Sequence, residues 1–130
     1  MKLPKRALLM MILSIILALS FSTAAFAAPS LTFPNGSSNS PNYVSSPPDF
    51  IAWNQSTSDK KATITLWASN GFTETIQYEG LSGDRYGVFY LIPSLKNDLP
   101  RNIPVRVTVS TYNSIGNYTG SDTAYFVIQN

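Results

Sequence analysis

Short runs in which apolar and polar residues alternate are the feature that most constrains how this chain can fold. In residues 62–69 an apolar side chain occupies every second position, and residues 105–109 and 124–128 repeat that spacing. Successive side chains of a strand point to opposite faces, so a period of two predicts strands that bury one face. No stretch keeps the 3.6-residue period of an amphipathic helix, which favours an all-β fold. The positions predicted to face the core are Ala62, Ile64, Leu66, Ala68, Val105, Val107, Val109, Ala124, Phe126 and Ile128.

Turn-forming residues separate the alternating runs. Asn70-Gly71 is predicted to supply the positive-φ residues of a tight hairpin turn, and residues 113–120 form the long tip of a second hairpin. Residues 86–92 are apolar on both faces, which is typical of a central strand buried between layers. Residues 93–104 begin and end with proline, so any helix there is limited to about one turn. About seven short strands with such turns predict an antiparallel two-sheet β-sandwich.

The N-terminal residues have the composition of a cleavable export signal. A basic start precedes the apolar run of residues 7–21, and residues 25–27, Ala-Phe-Ala, form a small-x-small cleavage site. The alternative is a retained membrane anchor, but this run is shorter than the roughly 20 apolar residues that span a bilayer. We therefore expect residues 1–27 to be removed as a signal peptide. Residues 28–48, rich in Pro, Ser and Asn, are expected to form an extended arm ahead of a sandwich domain of residues 49–130.

Removal of the signal changes the charge of the chain. Three of the nine Lys and Arg residues lie in it, so six basic residues remain against seven acidic ones, a formal charge of −1. Phosphate binding needs clustered basic residues, and Lys60-Lys61 is the one adjacent pair left, so no nucleic-acid partner is expected. The chain has no Cys and must be held together by burial and backbone pairing. Exported proteins without cysteine are common in Gram-positive bacteria, so we expect that origin. We expect the mature protein to be secreted and not bound to the membrane.

Residue types that support catalysis are scarce. The chain has no His and no Cys, which excludes a Ser-His-Asp triad, a thiolate nucleophile and imidazole-bound zinc. Glu74 and Glu79 are the nearest carboxylate pair, but their offset of five residues puts them on opposite faces of one strand, unlike the facing acids of a glycosidase. We therefore expect no enzyme activity, no cofactor and no metal. The acidic residues are predicted to form a solubilising surface: Asp49, Asp59, Glu74, Glu79, Asp84, Asp98 and Asp122.

The C-terminal hairpin carries a family resemblance. Residues 103–128 contain two alternating runs, Val-Arg-Val-Thr-Val and Thr-Ala-Tyr-Phe-Val-Ile, joined by a tip rich in Asn and Gly. This segment resembles the last two strands of fibronectin type III and related immunoglobulin-like modules. Trp53 and the strand of Ile64 and Leu66 stand about where that family has its early core tryptophan and third strand, whereas Pro104 stands near its usual tyrosine. The resemblance covers about residues 50–130 and implies an immunoglobulin-like sandwich.

Three aromatic residues are the candidate ligand-binding residues. Trp67, Tyr112 and Tyr125 lie in the phase opposite to the aliphatic residues of their strands. The resemblance implies that these strands share one sheet, so the three rings are predicted to share an outer face. Secreted modules stack sugar rings on such aromatic faces. The alternative is a structural role, because Tyr and Trp favour strands and cross-strand aromatic pairs stabilise a sheet by roughly 0.2–1 kcal/mol.

Two function classes follow from these observations and stay open. The first is a secreted, non-catalytic binding or adhesion module whose partner is a polysaccharide, a cell-wall component or an extracellular protein. It would bind through the outer aromatic face or through the tip of residues 113–120. The second is a small secreted effector, such as an antimicrobial or inhibitor protein. Retention on cell wall, cellulose or chitin favours the first class, and growth inhibition without retention favours the second.

Overall fold

The predicted all-β fold is confirmed. The computed structural model describes residues 5–6, 28–79 and 85–130, and the last two ranges contain eight strands and a helix of six residues. The helix, α1 (Pro93–Asp98), lies between the sixth and seventh strands. The predicted signal peptide, residues 1–27, lies outside the described residues apart from Lys5 and Arg6. The strands are β1 (Ser30–Phe33), β2 (Asn42–Val44), β3 (Phe50–Asn54), β4 (Asp59–Ala68), β5 (Thr73–Glu79), β6 (Tyr86–Tyr90), β7 (Pro104–Asn113) and β8 (Tyr118–Ile128).

The strands form two sheets that pack against each other. One sheet has three strands in the order β1-β3-β6, and the other has five in the order β2-β8-β7-β4-β5. Neighbouring strands are antiparallel except β2, which runs parallel to β8. About seven strands are predicted and eight are observed: six lie in residues 50–128, and residues 28–48 supply one further strand to each sheet.

Residues 28–48, predicted to be an extended arm, lie along both sheets. β1 pairs with β3 and β2 pairs with β8, so each satisfies backbone groups that would otherwise stand open at a sheet edge. Leu31 is buried in the core, and its N–H donates to the carboxylate of Asp122 at 2.7 Å. Between the two strands, the carbonyl of Gly36 accepts a hydrogen bond from the N–H of Tyr125 at 2.9 Å. The sheets therefore begin at residue 30 and not at residue 49.

The core lies between the inner faces of the two sheets, and its composition confirms the predicted strand phase. The three-stranded sheet contributes Leu31, Ile51 and Trp53. Trp53 is only 1% exposed, as expected for a core residue, and its indole N–H donates to the side-chain oxygen of Gln55 at 2.8 Å. The five-stranded sheet contributes the residues of the predicted apolar phase, all buried: Ala62, Ile64, Leu66, Ala68, Val105, Val107, Val109, Ala124, Phe126 and Ile128.

A glycine lets the indole of Trp53 seat against the backbone of the neighbouring strand. Gly87 on β6 lies opposite Trp53 on β3. A Cβ atom at Gly87 would stand 2.1 Å from Cε2 of Trp53, so the ring occupies the space of a side chain. Position 87 therefore has to be glycine for Trp53 to keep its place in the core.

The expectation that residues 86–92 form a central strand is wrong. β6 covers Tyr86–Tyr90 and is an edge strand of the three-stranded sheet. Tyr86 and Tyr90 are both exposed, whereas Gly87 is buried against Trp53. A tyrosine can keep its hydroxyl in water while its ring covers neighbouring apolar surface, so a run rich in Tyr is compatible with an outer face.

The turns agree with the sequence in part. In the hairpin between β4 and β5, Gly71 has a positive φ of 96°, but Asn70 does not, so the predicted pair of positive-φ residues is reduced to one. The N–H of Gly71 donates to the carbonyl of Ala68, which makes Ser69 and Asn70 the centre of the turn. α1 starts at Pro93 and has six residues, so it is longer than the predicted limit of about one turn. Among the described residues, no helix has the length and apolar character needed to cross a membrane.

Candidate binding face on the five-stranded sheet

The outward side chains of β4, β5, β7 and β8 form a continuous surface, which we call the five-stranded face. The register between the strands arranges these side chains in rows across the sheet. At one end is the Arg106 row, made of Trp67, Arg106 and Tyr125. At the opposite end is the tyrosine end, made of Lys61, Tyr112, Tyr118 and Glu79. Between them lies the hydroxyl field, whose members are Thr63, Thr65, Thr75, Thr108, Ser110, Ser121 and Thr123.

The Arg106 row places a cation between two aromatic residues. Arg106 lies opposite Trp67 on one side and opposite Tyr125 on the other. The guanidinium carbon of Arg106 stands 4.6 Å from the centre of the Trp67 ring, which is within the range of a cation–π contact. Trp67 is 40% exposed, so part of its ring remains open to solvent. The structure therefore brings together two of the three predicted residues, Trp67 and Tyr125, around an arginine.

The third predicted residue, Tyr112, belongs to the opposite end of the same face. It lies six residues along β7 from Arg106, which corresponds to about 20 Å at the rise of a strand. Its ring contacts Tyr118 with the centroids 6.0 Å apart and the planes tilted by 66°. A pocket of about 270 Å³ opens beside Tyr112 and is also lined by Lys61, Thr63 and Gln77. The three predicted residues thus share a face, but they do not form one contiguous aromatic surface.

The hydroxyl field gives the face a polar, uncharged centre. The hydroxyls of Thr108 and Thr123 hydrogen-bond to each other at 3.1 Å, and Thr63 donates to the side-chain oxygen of Gln77 at 3.1 Å. Each hydroxyl can both donate and accept, so the field offers many further hydrogen bonds to a ligand rich in hydroxyls. Among the outward positions of the four strands, the one carboxylate is Glu79, which pairs with Lys61 at 3.5 Å.

Arg106 is the member of this face that the prediction of binding residues missed. The run Val105-Arg106-Val107 alternates, so the phase that buries the valines also turns Arg106 outward. Its strand phase was thus readable from the sequence. Its position between Trp67 and Tyr125 was not, because that depends on the register of β7 with β4 and β8.

A second aromatic surface lies on the outside of the three-stranded sheet. We call it the aromatic row, and it consists of Phe33, Phe50 and Tyr90. The ring of Phe50 stands 5.8 Å from that of Phe33 and 6.3 Å from that of Tyr90, both measured between centroids. A pocket of about 500 Å³ adjoins the row and is lined mainly by residues 43–50. Alternation with buried Ile51 and Trp53 already indicates that Phe50 points outward.

The acidic residues do not assemble a reaction centre in the described part of the chain. Glu74 lies opposite Leu66 and Glu79 opposite Lys61, so the two carboxylates point to opposite faces of β5, as predicted. Within the described ranges, no group of three or more acidic side chains could hold a metal ion. One expectation is wrong: Asp59 is fully buried and does not belong to a solubilising surface.

Asp59 is buried because it completes a hydrogen-bond network. It accepts a hydrogen bond from the hydroxyl of Thr119 at 2.7 Å and one from the N–H of Ser56 at 3.2 Å. The hydroxyls of Thr119 and Thr111 are also 2.7 Å apart. The network therefore links the start of β4 to the end of β7 and the start of β8. Buried polar groups of this kind are tolerated when each has its partner, so Asp59 has a structural role.

Comparisons with protein-family models, with curated proteins and with solved structures gave no match for this chain.

Proposed function

We propose that this protein is a secreted, non-catalytic module with an immunoglobulin-like sandwich, and that it binds polysaccharide through the five-stranded face. The strand order supports the fold class. In immunoglobulin-like sandwiches strands A, B and E share one sheet, while C, F and G share the other. β1, β3 and β6 correspond to the first set, and β4, β7 and β8 to the second.

The observation that carries the binding proposal is the Arg106 row at the margin of the hydroxyl field. An exposed indole can stack on the apolar C–H face of a sugar ring, while threonine and serine hydroxyls can bond to the hydroxyls at its edge. The five-stranded face presents the indole and the hydroxyls one after the other along the strands, as a chain of linked sugars requires. The aromatic row supports this less well, because its rings are tilted against one another by 57° and 66° and so do not present one common plane to a sugar.

The N-terminal sequence supports a site of action outside the cell. The basic start, the apolar run of residues 7–21 and the cleavage site that ends at Ala27 are those of an exported chain. Mass spectrometry of the protein in the culture medium tests this directly. We expect a mature form that starts at Ala28, whereas a full-length chain in the membrane fraction would contradict export by cleavage.

Pull-down on insoluble polysaccharides tests the binding function. We expect the mature protein to be retained on bacterial cell wall, cellulose or chitin. Trp67→Ala should reduce that retention, with a loss of about 1–3 kcal/mol in binding free energy. Phe50→Ala, which removes an equally exposed ring from the aromatic row, is the matched control and should be retained like the wild type.

A folding measurement separates binding from structural support. Trp67→Ala should lower the melting temperature by about 5 °C or less, because Trp67 lies on the surface of the sheet. A sharp fall in melting temperature with no change in retention would mean that Trp67 supports the sheet and binds nothing, and the proposal would then be wrong.

A further inference from the structure

We infer that the polysaccharide bound by the five-stranded face is acidic, with a carboxylate carried on the sugar ring, and that Arg106 binds that carboxylate. The inference rests on the proposed function and names its ligand class. It is drawn from the free donors of Arg106, from the charge of the face and from the spacing of the Arg106 row.

The guanidinium of Arg106 is oriented but has unused donors. Its contact with the Trp67 ring fixes its position, and among the described residues it forms no hydrogen bond or ion pair with a protein group. A guanidinium has five N–H donors in a planar fork, which matches the two oxygens of a carboxylate. Arg106 is thus held in place for a planar anion while its donors remain available.

The charge of the face favours an anion over a neutral or cationic ligand. On the outward positions of β4, β7 and β8, all within the described residues, the charged side chains are Arg106 and Lys61, and both are basic. Glu79, on β5, lies at the far end of the face and is paired with Lys61. It is therefore about 20 Å from Arg106, well beyond the distance at which exposed charges interact strongly in salt solution.

The spacing within the row favours a carboxylate attached to the stacked sugar. Residues directly opposite each other on adjacent strands have Cβ atoms about 5 Å apart, so Trp67 and Tyr125 each lie one such step from Arg106. A hexuronate unit has its carboxylate bonded directly to the sugar ring. Because the guanidinium already covers one face of Trp67, such a unit reaches that guanidinium by stacking on Tyr125, on the other side of Arg106.

The hydroxyl field lies where the neighbouring sugars of the chain would continue. It runs along the strands from the Arg106 row towards the tyrosine end, a distance of about 20 Å. Its hydroxyls can bond to sugar hydroxyls in either direction. In a polymer whose charges are phosphate groups between its units, the anion stands apart from any sugar ring that stacks. The Arg106 row is therefore less suited to such a polymer.

Affinity measurements with polygalacturonate, alginate and fully methyl-esterified polygalacturonate test the inference. The ester keeps the sugar backbone and removes the charge. We expect the wild type to bind at least one of the two uronates at least tenfold more tightly than the ester. Arg106→Gln should abolish that preference, and Arg106→Lys should restore part of it, because lysine keeps the charge but lacks the planar fork.

The control is Arg85→Gln, the same change of charge at an exposed position next to β6, on the other sheet. It should keep the preference for the uronate, and circular dichroism should confirm that every variant is folded. If Arg85→Gln loses the preference as Arg106→Gln does, the effect is one of net charge and the inference is wrong.

The remaining outcomes separate the inference from the function on which it rests. Retention on neutral polysaccharides that depends on Trp67, with no tighter binding of either uronate, would overturn the acidic ligand and keep the proposed function. Tighter binding of poly(glycerol phosphate) than of both uronates would overturn the hexuronate class. No binding of any polysaccharide would overturn the proposed function and the inference together.

Discussion

The two outer faces of the sandwich carry aromatic residues in different arrangements. On the three-stranded sheet, Phe50 contacts both Phe33 and Tyr90, so the rings of the aromatic row pack against one another at tilts of 57° and 66°. On the five-stranded sheet, Trp67 contacts the planar guanidinium of Arg106 and no other ring in the described residues, and the hydroxyl field lies on one side of the pair. Phe50 and Trp67 are nevertheless almost equally exposed, at 39% and 40%.

Exposure alone therefore does not distinguish a binding residue from a structural one. A ring whose faces and edges contact other rings stabilises the sheet, because tilted aromatic pairs contribute about 0.5–1.5 kcal/mol each beyond the area that they bury. A ring that contacts a single cation keeps one face free for a ligand. The aromatic row should accordingly matter for stability, and the Arg106 row for binding.

The largest expected effect concerns the inner and outer sides of one strand. Phe126→Ala should reduce the free energy of unfolding by about 3–5 kcal/mol, because it empties a fully buried site. Tyr125→Ala, one residue away on the outer side, should cost about 1 kcal/mol or less. Urea denaturation measures both. Equal losses would mean that Tyr125 on the outer side of β8 supports the fold as much as Phe126 in the core. The five-stranded face would then be structural and not a binding surface.

A smaller effect is expected inside the three-stranded sheet. Gly87→Ala should reduce the free energy of unfolding by about 1–3 kcal/mol, because the new methyl group overlaps the indole of Trp53 and forces it to move. Val88→Ala, at the next position of β6, removes a half-buried side chain without such an overlap and should cost less. A tolerated Gly87→Ala would show that β6 can shift away from Trp53, and glycine would then not be required at position 87.

The smallest effect separates the two faces most directly. Phe50→Ala should reduce the free energy of unfolding by about 2 kcal/mol, since it removes two ring contacts. Trp67→Ala should cost about 1 kcal/mol or less, since it removes one exposed cation–π contact. Thermal denaturation of the two variants under identical conditions gives the comparison. If Trp67→Ala proves the more destabilising, the roles assigned to the two faces are reversed.

The inner faces of β4, β7 and β8 could be predicted from the sequence because strand phase is a local property. Val107 is buried and Arg106 points outward whatever the neighbouring strands are, once the segment is extended. The same alternation indicated that Trp67, Tyr112 and Tyr125 face away from the core. Pro93 is the first residue of the helix that follows β6, a position where proline is tolerated, and Pro100 lies just beyond the end of that helix.

Properties that depend on the arrangement of strands could not be predicted in the same way. Residues 86–90 are apolar enough for a central strand, but β6 is an edge because no further strand pairs with it in the described part of the chain. The distance between Trp67 and Tyr112 and the place of Arg106 beside Trp67 follow from cross-strand register. The burial of Asp59 depends on Thr119, which is 60 residues away in the sequence.

NMR shift mapping with a galacturonate oligomer tests most directly whether the five-stranded face is the ligand surface. Titration into labelled mature protein should shift the indole N–H of Trp67, the side-chain N–H groups of Arg106 and the amides of β4, β7 and β8 around them. The indole N–H of Trp53, buried against Gln55, should stay in place and serves as an internal reference. Shifts confined to Phe33, Phe50 and Tyr90 and the pocket beside them would contradict the account, because they would assign binding to the aromatic row.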